Sequence, residues 1–303
     1  MSTTESPPPP DSPVLTLVDG TFELFRAHFS KSSPDRKGPD GRPTKAAVGV
    51  VRRLLAWVQD AKQPATHIAV AFDNPIESFR NELFAGYKTG EGIDSDLASQ
   101  FDLVEEGVAA LGIVVWSMRH FEADDALATA AVRWKDACQQ IRILTPDKDL
   151  GQVVDGDRVV QVDDIRDRII NEAAVTERRV APASIPDYLA LVGDTADGIP
   201  GLPGFGEKSA ATLLKAYQHL EYIPNDETQW SVKIRGAVGL AATLRANRDK
   251  ALLYRRLATL ATDVPLPEAL ENLKWRGANR AALEGFCNRS NANSLMDRAF
   301  PGL

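Results

Sequence analysis

Short apolar runs and helical apolar repeats alternate along the first half of the chain. Val14–Val18 is an apolar run with β-branched members that ends in Asp19-Gly20, which predicts a buried strand with an acid at its C-terminal end. Thr44–Ala61 carries Val48, Val51, Leu54, Leu55 and Val58 at helical spacing. His67–Phe72 predicts a second buried strand and is followed at once by Asp73. Leu97–Leu111 and the alanine-rich Ala123–Cys138 predict helices, and Ile141–Leu144 predicts a third strand leading into Thr145-Pro146-Asp147. Strands alternating with helices imply an α/β fold, a parallel sheet flanked by helices. After about residue 180 the pattern changes to helices and Gly/Pro turns, which predicts a helical subdomain from Ile185 to near the C-terminus. Residues 1–13 (MSTTESPPPPDSP) predict a disordered tail, because a proline run has neither backbone donors nor a core to join. The expected division is therefore 1–13, 14–180 and 181–303. No internal repeat is visible.

Composition narrows this only a little. The 303 residues suffice for one large domain or two packed ones, and 44% hydrophobic with 25% charged residues is ordinary for a globular protein. The apolar runs are too short to cross a membrane, and the polar, proline-rich start has no signal-peptide pattern. Cys138 and Cys287 lie far apart without ligand-like spacing, so free thiols in a reducing, cytoplasmic compartment are expected. The net charge of −7 argues at first against a nucleic-acid partner. Its distribution reverses that reading: Glu91–Asp125 holds nine acids and one Arg, whereas Glu207–Arg256 holds nine Lys/Arg and five acids.

The acids carry the candidate chemistry. Asp19, Asp73 and Asp147 end or closely follow predicted strands, and in open α/β sheets ligands bind outside the carboxyl ends of strands. Glu122-Ala123-Asp124-Asp125 opens a helix, Asp149 follows Asp147 by two, and Asp194 and Asp197 sit in a Gly-bounded segment. Each group alone has an ordinary explanation, since acids cap helices and populate turns. Nine carboxylates in one pocket would repel one another, and divalent cations remove that conflict. An oxygen-only donor set favours Mg²⁺ or Mn²⁺ over zinc. Two such ions roughly 4 Å apart can activate a water and stabilise the leaving oxygen of a phosphodiester.

The strings LVDG (17–20), FDNPIESFRNELFAGYK (72–88), FEADDALAT (121–129), ILTPDKDLGQVV (143–154) and DYLALVGDTADGIPGLPGFGEKSAATLL (187–214) resemble the bacterial 5′-nuclease, or flap endonuclease, family, which includes the N-terminal domain of DNA polymerase I. The resemblance runs from about Val14 to about Leu260. It implies a PIN-like sheet, a helical arch near residues 80–110 and a helix–three-turn–helix module behind. One metal cluster would use Asp19, Asp73, Glu122 and Asp124, and a second Asp125, Asp147, Asp149, Asp194 and Asp197. Lys88 would be the active-site lysine, stabilising charge on the scissile phosphate. Tyr87 would stack on an unpaired base and Arg80 would contact phosphate; alone, Tyr87 reads as core and Lys88 as a solvated charge. Gly201, Gly204 and Gly206 would form the DNA-binding hairpin, with Lys208 and Ser209 opening the next helix, and a potassium ion held by the hairpin carbonyls. Duplex binding would be sequence-independent and salt-dependent.

The chain departs from the family pattern at three places. Glu91 stands where a basic residue usually follows the GYK motif, and Asp94 and Asp96 extend the acidic run. Gly198 replaces the usual Asn, and Pro146 a small residue. The expected function is a structure-specific 5′-nuclease, both 5′-3′ exonuclease and flap endonuclease, acting on branched or 5′-ended DNA in primer removal and repair. It would be a monomer, with a DNA polymerase as a partner in trans, since little chain follows the nuclease region. A PIN-type ribonuclease and a DNA-junction binding protein with little catalysis are the alternatives. The helix–three-turn–helix string speaks against the first, the retained carboxylates and Lys88 against the second.

Overall fold

A computed structural model describes residues 12–60 and 65–301. All but the last two residues of the expected tail, and the predicted helix end at Ala61, lie outside them. Six strands form one sheet: β1 (Val14–Asp19), β2 (His67–Asp73), β3 (Val114–Met118), β4 (Gln140–Leu144), β5 (Val159–Asp163) and β6 (Arg168–Ile170), in the spatial order β3-β2-β1-β4-β5-β6. The first five are mutually parallel, but β6 pairs antiparallel with β5. The sheet is thus mixed, not wholly parallel as expected. The short turn 164–167 can only return the chain antiparallel, because a parallel neighbour needs a longer crossover.

Side chains alternate across the sheet. Ile68, Val70 and Phe72 of β2 face a core built with α1 (Gly20–Phe29), α2 (Lys45–Val58) and, further along, α5 (Phe101–Ala110). Two short helices, α3 (Phe79–Leu83) and α4 (Ser95–Ala98), come between α2 and α5. Ala69 and Ala71 face the other way, against α6 (Ala123–Trp134). Small residues on both surfaces, Ala126 and Ala130 among them, bring α6 close to the strand ends, and the Trp116 and Trp134 rings stack at 6.3 Å along its flank.

The single helix expected over Leu97–Leu111 is broken at Gln100. Its side chain is fully buried and accepts from Ala46 N (2.9 Å) and Ala47 N (3.2 Å), supplying the cap that Thr44 does not give α2.

After α7 (Glu172–Arg178), the helices α8 (Ile185–Val192), α9 (Glu207–Tyr217), α10 (Ala237–Ala246) and α11 (Arg248–Ala258) close a second core around Leu189, Leu213, Leu214, Leu244 and Leu257. The last segment then leaves this module. Val264, Leu266 and Leu273 pack on α6, and α12 (Arg280–Ser290) with α13 (Ser294–Ala299) packs on α2 and α5. Leu283 and Phe286 are fully buried there, each stabilising the return by roughly 1.5–3 kcal/mol. No helix among the described residues is long and apolar enough to cross a membrane.

Candidate active site

Three neighbouring strands, β2, β1 and β4, deliver Asp73, Asp19 and the Asp147 turn to one edge of the sheet. Asp19 caps α1, accepting from Phe22 N at 2.8 Å, and its other oxygen accepts from Thr145 Oγ1 at 3.0 Å. Thr145 Oγ1 in turn accepts from Asp147 N (3.1 Å), so one hydroxyl fixes both acids. Asp73 Oδ1 accepts from Ala123 N (2.7 Å), which holds the N-terminus of α6 against β2 and brings Asp124 to the same edge. Asp19, Asp73, Asp124, Asp147, Lys88 and Asp197 line one cleft of about 550 Å³ with Thr21, Phe22 and Phe25 of α1. Thr145, Phe22 and Phe25 were not singled out from sequence. The two rings fall at i and i+3 of a helix that directly follows a candidate acid, which is the signal that could have found them.

Three expected roles change. Arg80 is 1% exposed and donates to both oxygens of the fully buried Asp125, at 2.7 Å each. It also donates to the carbonyls of Leu257 (2.7 Å) and Thr259 (3.0 Å), so it is a strut inside the protein and does not reach DNA. Asp125 further accepts from Glu122 N (2.9 Å) and Ala261 N (2.8 Å). Both its oxygens are used, which removes it from the candidate metal ligands. Tyr87 is 3% exposed, with its hydroxyl donating to Glu122 at 3.3 Å, and has no free face for a base. Glu122 itself bonds Ser78 Oγ (2.7 Å), Arg80 (3.2 Å) and Lys88 Nζ (2.9 Å).

The helical module contributes the second side of the cleft. Asp194 accepts from Ala196 N and Asp197 N, and Asp197 sits 3.0 Å from Lys88 Nζ. The backbones join here too, Lys88 N donating to Asp197 O at 3.0 Å. Gly198, the residue that departs from the family pattern, has φ +72°, and a Cβ on it would collide with the Gly86 carbonyl oxygen. Its lack of a side chain lets this junction close. Asp149 is not among the residues that line the cleft; it lies 3.9 Å from Arg179, and its Oδ1 is buried with no hydrogen-bond partner.

The electrostatics reflect crowding. Burial, with Asp73 and Asp147 nearby, pushes the Asp19 carboxyl up to about 7. Burial and the Asp147 and Asp194 charges push Asp149 up to about 8. Asp124 is driven well above the carboxylate range by burial and by Asp19 and Asp147, and Asp73 and Asp197 are raised chiefly by burial. Glu122 goes the other way: burial opposes its charge, but Lys88 and then Arg80 outweigh it. Burial likewise works against the Lys88 ammonium, but Glu122 and Asp197 hold it charged. Among the described residues no three His, Cys, Asp or Glu side chains form a ready-made coordination shell. The donor set still fits a hard divalent cation: it is all oxygen, its members repel, and Asp149 Oδ1 lacks a hydrogen-bond partner.

In the expected hairpin, Gly201 has φ +70°, and a Cβ there would meet the Val192 carbonyl carbon at 2.5 Å. Gly204 and Gly206 border an open hollow with Lys208, Ser209, Lys233 and Arg235. Ser209 Oγ is engaged locally, donating to Gly206 O (2.9 Å) and accepting from Gly206 N (3.0 Å). Lys233 and Arg235, on the loop before α10, were not anticipated individually.

The model of the 5′-3′ exonuclease N-terminal resolvase-like domain matches residues 14–180, and that of the 5′-3′ exonuclease C-terminal SAM fold matches residues 180–281. The chain belongs to the 5′-3′ exonuclease family. It is 34% identical to DNA polymerase I of Mycobacterium leprae over 96% of this chain and 32% of that protein. It is 37% identical to DNA polymerase I of Pseudomonas aeruginosa over 89% of this chain and 29% of that protein. The chain thus spans about a third of the length of these relatives. Among solved structures, T5 5′-exonuclease with bound zinc matches with TM-score 0.62 and 18% identity, over 94% of this chain and 99% of that one. The catalytic core of Rad2 in complex with a DNA substrate matches with TM-score 0.58 and 13% identity, over 94% and 92%. At these identities the two structures share the 5′-exonuclease fold with this chain.

Proposed function

We propose that this chain is a divalent-cation-dependent, structure-specific 5′-nuclease, cutting phosphodiesters of 5′-ended or branched DNA as 5′-3′ exonuclease and flap endonuclease. The observation that carries the reading is the single cleft at the strand ends, where Asp19, Asp73, Asp124, Asp147 and Asp197 surround Lys88. Mg²⁺ or Mn²⁺ held by Asp19, Asp73, Asp124, Asp147, Asp149 and the Asp194/Asp197 turn, with Glu122 alongside, would supply charge neutralisation and water activation. Thr145 keeps Asp19 and Asp147 oriented for that task. Lys88 holds a positive charge at the cleft, available to a phosphate that draws it from Glu122 and Asp197. Phe22 and Phe25 offer a ring wall on which a terminal base can stack. Duplex would rest on the hollow at Gly204–Ser209, with Lys208, Lys233 and Arg235 meeting phosphates and the 201–206 carbonyls available to potassium. That substrate class fits primer removal and repair, and the reading takes the protein as a monomer that works alongside a polymerase.

The test is cleavage of a 5′-labelled nicked duplex with Mg²⁺, with Mn²⁺ and with EDTA. Release of 5′ products with either metal and none with EDTA is expected. Tight duplex binding with no cleavage under any condition would replace this reading with junction binding.

A further inference from the structure

From Thr89 to Met118 the chain contains Glu91, Asp94, Asp96, Asp102, Glu105 and Glu106 and no Lys, Arg or His. The first part of this stretch is a strap that leaves the cleft at Lys88 and is tied down along its length. Gly90 N donates to Glu77 Oε1 (3.0 Å), Asp94 caps α4 and lies 3.7 Å from His28 Nε2, and Leu97 is fully buried. Gln100 then locks it to the start of α2. His28 is one turn beyond Phe25 on α1. The strap therefore runs beside the aromatic wall of the cleft, with Glu91, Asp94 and Asp96 exposed along it.

We infer that this strap is a specificity element, which turns the nuclease away from single-stranded 5′ tails and toward 5′ ends seated in duplex. The inference rests on the nuclease reading above. A single strand leaving the cleft past Phe22 and Phe25 brings its phosphates alongside Glu91, Asp94 and Asp96, and like charges within a Debye length of roughly 8–10 Å repel. Duplex is treated the opposite way, because Lys208, Lys233 and Arg235 lie at the module hollow. A nicked or recessed end uses the basic hollow and leaves no strand beside the strap. A flap must pass it.

The experiment compares initial cleavage rates on a nicked duplex and on the same duplex carrying a long single-stranded 5′ flap, in Mg²⁺ at low and high salt. The variants are Glu91→Lys/Asp96→Lys and the milder Glu91→Gln/Asp96→Asn. Both positions are exposed, and Asp94 is left in place because it caps α4. The wild-type flap-to-nick rate ratio is expected well below one at low salt, rising as salt screens the strap. The double-lysine variant should raise the ratio by about tenfold at low salt, and the amide variant by a smaller factor. A wild-type enzyme that cuts the flap as fast as the nick at low salt, or variants that leave the ratio unmoved, would overturn the inference. Absence of cleavage on both substrates would instead sink the nuclease reading and the strap's role with it.

Discussion

Replacing Arg80 by methionine removes a guanidinium that is 1% exposed and makes four hydrogen bonds, two of them to Asp125 at 2.7 Å. The stem volume is largely kept, so the cost is mainly electrostatic. Asp125 is fully buried and would retain only the N–H groups of Glu122 and Ala261. Stranding one partner of a buried pair costs about 3–5 kcal/mol, and the carbonyls of Leu257 and Thr259 lose their donor as well. That is a large share of the roughly 5–15 kcal/mol that holds a domain folded. Guanidinium unfolding followed by tryptophan fluorescence should show the midpoint falling sharply. The double variant Arg80→Met/Asp125→Leu should recover at least half of the loss, because neither charge remains buried. A methionine variant that loses less than about 1 kcal/mol, or a double variant no better than the single, would refute the strut. If Arg80 instead met phosphate, the variant would fold normally and bind DNA more weakly.

Gly198→Ala places a Cβ against the Gly86 carbonyl at a positive φ, and should cost about 1–3 kcal/mol while moving Asp197 from Lys88; a thermal midpoint unchanged from wild type would contradict the close junction. In EDTA the protein should become more stable as pH falls from about 8 toward 5, because Asp19 (about 7) and Asp149 (about 8) are raised above their unfolded values, so the folded state binds more protons across that window. Mg²⁺ should raise the melting temperature and flatten this slope, and an apo stability that instead climbs with pH would exclude the crowded-carboxylate account. Lys233→Ala/Arg235→Ala should weaken duplex binding and lower the salt slope by about 0.9 for each phosphate no longer neutralised, read from binding isotherms at several salt concentrations.

The strand ends were legible because β1 and β2 are buried on both faces and read as apolar runs ending in their acids, while in β4 Ile141, Ile143 and Leu144 lead into the turn that holds Asp147. The strands β3 and β6 escaped notice because they are edge strands only partly buried, and β5 was missed although it is buried along its length and as long as β4. Residue type and spacing identified the carboxylates as a group, but not which of them face the cleft. Asp124 and Asp125 are adjacent on α6, and a rotation of about 100° per residue sends one to the cleft and the other to Arg80. The DNA contacts that the resemblance implied for Arg80 and Tyr87 gave way because the partners that bury them lie far off in sequence, at Leu257, Thr259 and Glu122, although Tyr87 read by itself already looked like core. The return of the chain beyond residue 260 onto α2 and α5 is likewise a long-range packing result that no local pattern announces.

The central claim is that the cleft carboxylates hold the cations that drive phosphodiester cleavage. Its most direct test is single-turnover cleavage of a 5′-labelled nicked duplex in Mg²⁺ by the wild type and by Asp124→Asn and Asp147→Asn, with duplex binding measured alongside in Ca²⁺. Metal-dependent cleavage by the wild type is expected, with loss of at least about a hundredfold in both variants and duplex binding close to wild type. Variants that cut as fast as the wild type would contradict it.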